Sequence, residues 1–451
     1  MKRRLLYIIT LLICCSQKTN DSNLLQRLIV NKSGDVVLLR GLNIAHTAKR
    51  TVIPWQEEED IKKMSEEWGL NFIRLTLFWS AIEPERGKYD KEYIEKIREI
   101  IKWSEKYSVY VLLDMHQDLF GYKATDSDEG DGAPQWAMSS TCPSFRDLTP
   151  WIANYGDNAV NCQFDAFWNN ERGILDAYEE MWLFTIKMLG DENSVIGFDI
   201  MNEPWPGSLW ITEEKRTYWE QNILNPFYSR IANKIRKISA KYIFYESHPL
   251  SDVGIAVNLD KPNAPNLIYA PHIYPISAAE GFLIQYYKTP QVAGNGYDRD
   301  IDYVFRVHNS VAIEHNVPMV VGEYGITANT PNAEKIIRKH IDIFDENFVG
   351  SAMWSYDKAS KYGGGVIDDY GNPLTNLKAI IRPYPETIRG TPKSLRYYDN
   401  KFELEVESQR EIKVTIKCPE LKPCIIDNKK IIKGAYNITT REGLNKITIN
   451  Y

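Results

Sequence analysis

Two glutamates are placed where they could do chemistry. Glu203 stands in "MNEPWPG", at the end of the apolar run "VIGFDI", and Glu323 stands in "PMVVGEYG", at the end of another. A single carboxylate ending a buried strand is often a neighbour of a helix cap or half of a surface ion pair. Two of them facing each other across a ring of strands can act as a glycosidase pair. One, protonated, gives its proton to the leaving oxygen; the other, ionised, attacks the anomeric carbon. The two roles need different surroundings. Desolvation raises the pKa of the acid, while a nearby cation and hydroxyl hold down that of the nucleophile. Arg74 in "NFIRLTLFW" and Tyr274 in "LIYAPHIY" are candidates for that cation and hydroxyl. Asn202, beside Glu203, is suited to hold a sugar hydroxyl through a bond that strengthens in the transition state.

Other polar residues cluster at strand ends: His116 and Asp118 in "DMHQD", His272 in "HIY", and Trp354 in "FVGSAMWSY", with Lys49 in "GLNIAHTAKR". Each also admits a plainer reading, as a loop-holding core histidine, a packed tryptophan or an exposed Lys–Asp pair. What gathers them is the order of elements. Eight short apolar runs begin at residues 36, 71, 109, 195, 242, 267, 318 and 348, and amphipathic segments such as "KEYIEKIREIIKWSEKY" lie between them. Strands that are apolar on both faces and alternate with helices form a parallel sheet. Eight such units predict an α/β fold, a (β/α)8 TIM barrel over residues 30–384, whose active site lies at the C-terminal ends of the strands. An open doubly wound sheet is the rival, but no Gly-rich phosphate fingerprint follows the first strand. Loops 117–170 and 275–300 fall at the functional end and are long enough to shape a cleft. After "RPYPETIRGTP" the pattern changes to period two in "KFELEVES", "EIKVTIKC", "CIIDNKKIIK" and "NKITINY". This predicts a C-terminal antiparallel β-sandwich over 385–451.

The 451 residues carry 60 acidic and 54 basic side chains, a net charge of −6 that offers nothing to nucleic acid. The start, 1–20, reads as an export signal: "MKRR", then the apolar "LLYIITLLI", too short to span a bilayer ~30 Å thick. Cys14 and Cys15 follow directly, so either ordinary cleavage or lipidation at one of them is expected, placing the protein outside the cell or anchored to a membrane. In an exported chain, Cys142 with Cys162 and Cys418 with Cys424 are natural local disulfides. Asn20, Asn31 and Asn437 lie in glycosylation sequons. No cysteine or histidine spacing suggests a metal, and no cofactor is expected.

Taken together, "NEP" after the fourth strand, "GEYG" at the seventh, "HIY" at the sixth and "DMH" at the third, with Arg74 and Trp354, resemble glycoside hydrolase family 5. "DMHQDLFG", "GDGAPQWA", "FDIMNEPWPG" and "RPYPETIRGTP", with the terminal sandwich, resemble its endoglycoceramidase-like subgroup. The resemblance implies a retaining enzyme with Glu203 as acid/base and Glu323 as nucleophile. Arg74 and Tyr274 would hold the nucleophile, and Asn202 would support the sugar 2-hydroxyl. His116, Asp118 and Lys49 would contact the glucose next to the cut, with Trp354 stacked beneath it, and Trp136 and His272 would join the binding set. The implied substrate is a glycosphingolipid, cut between its reducing-end glucose and ceramide, with peripheral contact to a lipid surface. "LFGY" (119–122) and "GFLIQYY" (281–287) are candidates for the ceramide side. The alternatives are an endo-β-glucanase or mannanase, a glucosylceramidase-like β-glucosidase, or a non-catalytic glycolipid-binding protein. The last would be expected to have lost one of the carboxylates.

Overall fold

Among the described residues, eight parallel strands curl into a ring. They are β1 Arg40–Ile44, β2 Phe72–Leu77, β3 Tyr110–Met115, β4 Val195–Asp199, β5 Tyr242–Tyr245, β6, β7 Val320–Tyr324 and β8 Gly350–Met353. The computed structural model of the chain describes residues 25–124, 131–275, 297–426 and 429–451. The segment 1–20 with Cys14, Cys15 and Asn20, and the stretch 281–287, lie outside them.

β6 comes in two pieces, Leu267–Tyr269 and His272–Ile273, separated at Pro271, which has no N–H to give to the ladder. The first piece pairs with β5 and the second with β7. The ring closes where the Tyr269 N–H donates to the Pro318 carbonyl at 3.0 Å and the Gly322 N–H to the Pro271 carbonyl at 2.9 Å.

Strand side chains alternate between the two faces of the wall. One set packs outward on helices such as Lys91–Lys106, which buries Tyr93, Ile94, Ile97, Ile100 and Ile101 at helical spacing and is capped by the Asp90 carboxylate. The inward set begins as an apolar plug of Phe72, Leu112, Phe244, Ile268 and Val320. Two positions further along the same strands the inward residues become Arg74, Asp114 and Glu246. The period-two pleat thus turns a dry barrel floor into a charged mouth within one step.

The run 36–44 is not one strand. Val36–Val37 pairs antiparallel with Tyr384–Ile388 in the terminal unit, and only Arg40–Ile44 enters the barrel. The terminal unit has two antiparallel sheets, one of four and one of five strands. They enclose a core that includes Leu28, Val36, Tyr384, Phe402, Leu404, Val414 and Ile449. The chain enters this sandwich before it enters the barrel, a pairing that the alternation after 385 does not reveal. Arg382 at the joint donates to Asp342 at 2.6 Å, pairs with Asp345 and lies 3.5 Å above the Tyr397 ring. Cys142 is bonded to Cys162, and Cys418 to Cys424. Among the described residues, no helix is long and apolar enough to cross a membrane.

Candidate active site

Arg74, fully buried on β2, is the hub of the mouth. Its Nη1 donates to Glu323 Oε1 at 2.8 Å and Asn43 Oδ1 at 3.1 Å, and its Nε to Asp199 Oδ2 at 2.9 Å. Nη2 donates to Asp114 Oδ1, Asn202 Oδ1 and Glu246 Oε1 at 3.0, 2.9 and 3.1 Å. Burying so much charge costs several kcal/mol per ion, so the cluster adds little to stability. Burial alone would raise the Glu323 carboxyl. The charges of His272, Arg74, His116 and Lys49 outweigh burial and hold its pKa below the ordinary value. The Tyr274 hydroxyl, kept protonated mainly by burial and then by Glu323, donates to Glu323 Oε2 at 3.1 Å.

Glu203 lies at the opposite rim, on a turn that bends the chain out of β4. Its φ of +45° is in the left-handed region, which a residue bearing a Cβ rarely adopts. Three hydrogen bonds hold the turn. Gln117 Nε2 donates to the carbonyls of Asn202 and Glu203, both at 2.9 Å, and the Glu203 N–H donates to Glu246 Oε2 at 2.8 Å. Desolvation raises the Glu203 pKa, and the hydrogen bond from His272 only partly offsets it. His272 Nδ1 is 2.8 Å from Glu203 Oε1 and its Nε2 3.4 Å from Glu246 Oε1. Gly322 leaves room for this ring, since a Cβ there would stand 3.1 Å from His272 Nε2. Oxygens of Glu203 and Glu323 lie within 4.8 Å of each other. Carboxyls of inverting glycosidases stand ~6.5–9.5 Å apart to admit a water between them, and those of retaining enzymes about 5–5.5 Å. So close an approach is compatible with the second geometry.

The cleft above the pair encloses about 450 Å³. One wall is polar. Lys49 Nζ is 2.5 Å from Asp118 Oδ2 and 4.9 Å from the Trp354 ring centre, against which His116 stacks at 5.1 Å. Burial opposes protonation of His116, but Asp114 and hydrogen bonds to Asp114 and Asp118 raise its pKa to about 10. Behind this wall, burial chiefly lifts the Asp131 carboxyl to about 7. The other wall is apolar: Trp151, Ile152, Trp205, Trp210, Leu250 and Val253. Two trios, His116–Asp118–Asp131 and Glu203–His272–Glu323, bring metal-type ligand atoms within 4.8 Å of one another. Both already face a cation of the protein, Lys49 for the first and Arg74 for the second.

The family model described as Cellulase (glycosyl hydrolase family 5) matches residues 30–360. The chain belongs to glycosyl hydrolase family 5. Among similar sequences, an endoglycoceramidase of Cyanea nozakii is 31% identical over 209 residues, spanning 41% of this chain and 41% of that protein. Endoglycoceramidase I of Rhodococcus hoagii is 23% identical over 384 residues, 81% of this chain and 72% of that protein. The fold is that of endo-glycoceramidase II from Rhodococcus sp., with a TM-score of 0.80 at 24% identity over 94% of this chain and 99% of the other. Solved structures of that protein include a ganglioside GM3 complex and a lactosyl-enzyme intermediate.

Lys49, His116, Asp118, Asn202, Glu203, Tyr274, Glu323 and Trp354 all line the cleft. Arg74 and His272 lie beneath it, wholly buried. His272 faces Glu203 and Glu246 from beneath the cleft. Trp136, half-buried, is not among the residues that line this cleft. Its Nε1 donates to the Glu83 carbonyl at 2.9 Å and its ring meets Trp79 edge-on. Of "LFGY", Leu119 and Phe120 are core, Phe120 packing on Phe164 and Phe167, while the half-buried Tyr122 stacks on Phe145.

Asp114, Gln117, Asp199 and Glu246 join the site beyond the residues expected from sequence. Glu246 ends "YIFYE" as Glu203 and Glu323 end their runs, so the same strand-end signal would have found it. The apolar wall was missed because Trp151, Trp205, Trp210 and Leu250 sit in loops without periodicity.

Proposed function

We propose that the protein is a retaining endo-β-glycosidase that cuts glycosphingolipids between the reducing-end glucose and ceramide. The observation that carries this is the close Glu203–Glu323 pair with opposite pKa displacements, set where a polar wall meets an apolar one. In the first step Glu203 gives its proton to the glycosidic oxygen while a Glu323 oxygen bonds to the anomeric carbon and the carbon–oxygen bond breaks. Free ceramide leaves, and the glycan remains esterified to Glu323. In the second step Glu203, now ionised, takes a proton from water. The water oxygen attacks the anomeric carbon, the ester breaks, and the sugar departs with its configuration retained. Arg74 and Tyr274 keep both Glu323 oxygens oriented for attack.

The walls divide the substrate. Lys49, Asp118, His116 and Trp354 suit glucose hydroxyls and a sugar face, while the tryptophans and aliphatics across from them suit hydrocarbon. Ile152 and Ile211, 55% and 62% exposed in the loops that carry Trp151 and Trp210, extend the apolar wall outward and suit peripheral contact with the lipid surface that displays the substrate. Export, with cleavage of the signal or anchoring through Cys14 or Cys15, fits a substrate met at a membrane. Thin-layer analysis of a ganglioside, glucosylceramide and a soluble β-glucan tests the reading. Release of ceramide from the ganglioside is expected, and activity on the polymer alone would overturn the glycolipid assignment.

A further inference from the structure

Asp252 has no part in the reaction described above. It sits in the tight turn Pro249–Val253, directly after β5, and lines the cleft beside Leu250 and Val253. It is 8% exposed. Its backbone carbonyl accepts the Tyr274 N–H at 2.9 Å, which ties the turn to the end of β6. Among the described residues, nothing hydrogen-bonds or ion-pairs with its carboxyl. Glu203, Glu323, Glu246 and Asp118 each have such a partner.

Position decides which part of a ligand this carboxyl meets. β5 neighbours β4, which delivers Glu203, and lies across the ring from β1 and β8, which deliver Lys49 and Trp354. The groups that act most strongly on Asp252 after burial are Glu203, His272, Glu246 and Glu323, not Lys49, His116 or Asp118. By that strand order it stands on the acid's side of the cleft, where the leaving group sits, a polar group beside Trp205, Trp210, Leu250 and Val253 in the lining. Burial and the neighbouring carboxylates keep it protonated, so it presents both an O–H and a carbonyl. A buried polar group left without a partner is costly, and a leaving group made only of hydrocarbon would leave it so.

We infer that Asp252 is a specificity-determining contact for the leaving group, hydrogen-bonding a hydroxyl or amide that the aglycone carries within a few bonds of the scissile oxygen. This rests on the glycolipid reading above, in which the amide and hydroxyl of ceramide are the groups within reach. A site built to bond a polar group discriminates against analogues that lack it.

The test compares kcat/KM for lactosylceramide and for dodecyl β-lactoside, which shares the glycan and hydrocarbon but has neither group. D252V is expected to lower the lactosylceramide-to-dodecyl ratio about tenfold or more, while D252N, which keeps a donor and an acceptor, holds it within about threefold. A ratio in D252V within about twofold of the unmodified enzyme overturns the inference. A second readout needs no variant. The unmodified enzyme is expected to turn over lactosylceramide analogues lacking the 3-hydroxyl or carrying an N-methylated amide about tenfold more slowly, in at least one of the two cases. Equal rates on all three overturn the inference even if D252V does not fold. If the unmodified enzyme releases no ceramide from lactosylceramide yet cuts a soluble β-glucan, the glycolipid reading itself fails, and this inference falls with it.

Discussion

The polar and apolar walls of the cleft are built from different parts of the chain. Asp118, His116 and Trp354 follow directly on β3 and β8, and Lys49 on a short helix just after β1. These groups are fixed by the barrel, and each is bonded to or stacked on another of the set. The apolar wall comes from loops: Trp151 and Ile152 in the turn Trp151–Gly156, Trp205 and Trp210 beyond β4, and Leu250 and Val253 beyond β5. The loop of Trp151 is stapled by the Cys142–Cys162 bond. Recognition of a sugar ring needs groups held to fractions of an ångström, which strand ends supply, whereas hydrocarbon is bound through area and tolerates looser placement. Glu203 and Glu323 stand where the walls meet.

Losses of activity should follow this division. E323Q removes the proposed nucleophile, which any substrate would share, and is expected to lower kcat by about 10⁴–10⁶-fold. A loss under tenfold on every substrate would show that another group attacks. E203Q should cost about 10²–10⁴-fold on lactosylceramide, and much less on a 4-nitrophenyl lactoside, whose leaving group needs no proton. The pH profile sharpens this assignment. Glu323 must be ionised and its pKa is lowered, so the acid limb should fall below the ordinary glutamate value of about 4.3. Glu203 must be protonated and its pKa is raised, so the alkaline limb should lie above that value and vanish in E203Q. An alkaline limb that persists in E203Q would assign the acid elsewhere.

Replacing Cys142 and Cys162 by serine opens a loop of 20 residues. It should lower stability by about 3 kcal/mol, read from denaturant unfolding, and weaken the apolar wall before the polar one. The smallest and most discriminating effect is a pair. D118N should lower kcat/KM for lactosylceramide and dodecyl β-lactoside alike. W210A should lower it about tenfold more for the lipid than for a lactoside with a short alkyl group. Equal losses in both variants on all substrates would erase the distinction between the walls.

What could be read from the sequence follows the same line. The strands declared themselves because apolar runs buried on both faces alternate with amphipathic helices, and residues ending those runs converge by topology. Glu203, Glu323, Arg74 and Tyr274 were legible on that ground. A tryptophan in an irregular loop such as Trp136 carries no sign of which way it faces; here its Nε1 bonds the Glu83 carbonyl and its ring meets Trp79. His272 was placed correctly on its strand, but its partner could not be known without seeing Glu203 curl back toward it. The pairing of Val36–Val37 with Tyr384–Ile388 joins segments at opposite ends of the chain, and no local pattern encodes such a contact.

The most direct test is to identify both products from lactosylceramide by mass spectrometry. Equal amounts of intact lactose and free ceramide are expected, with both abolished in E323Q. Release of galactose with glucosylceramide left behind, or no cleavage by an enzyme that degrades soluble β-glucan, would contradict the placement of the cut between the two walls.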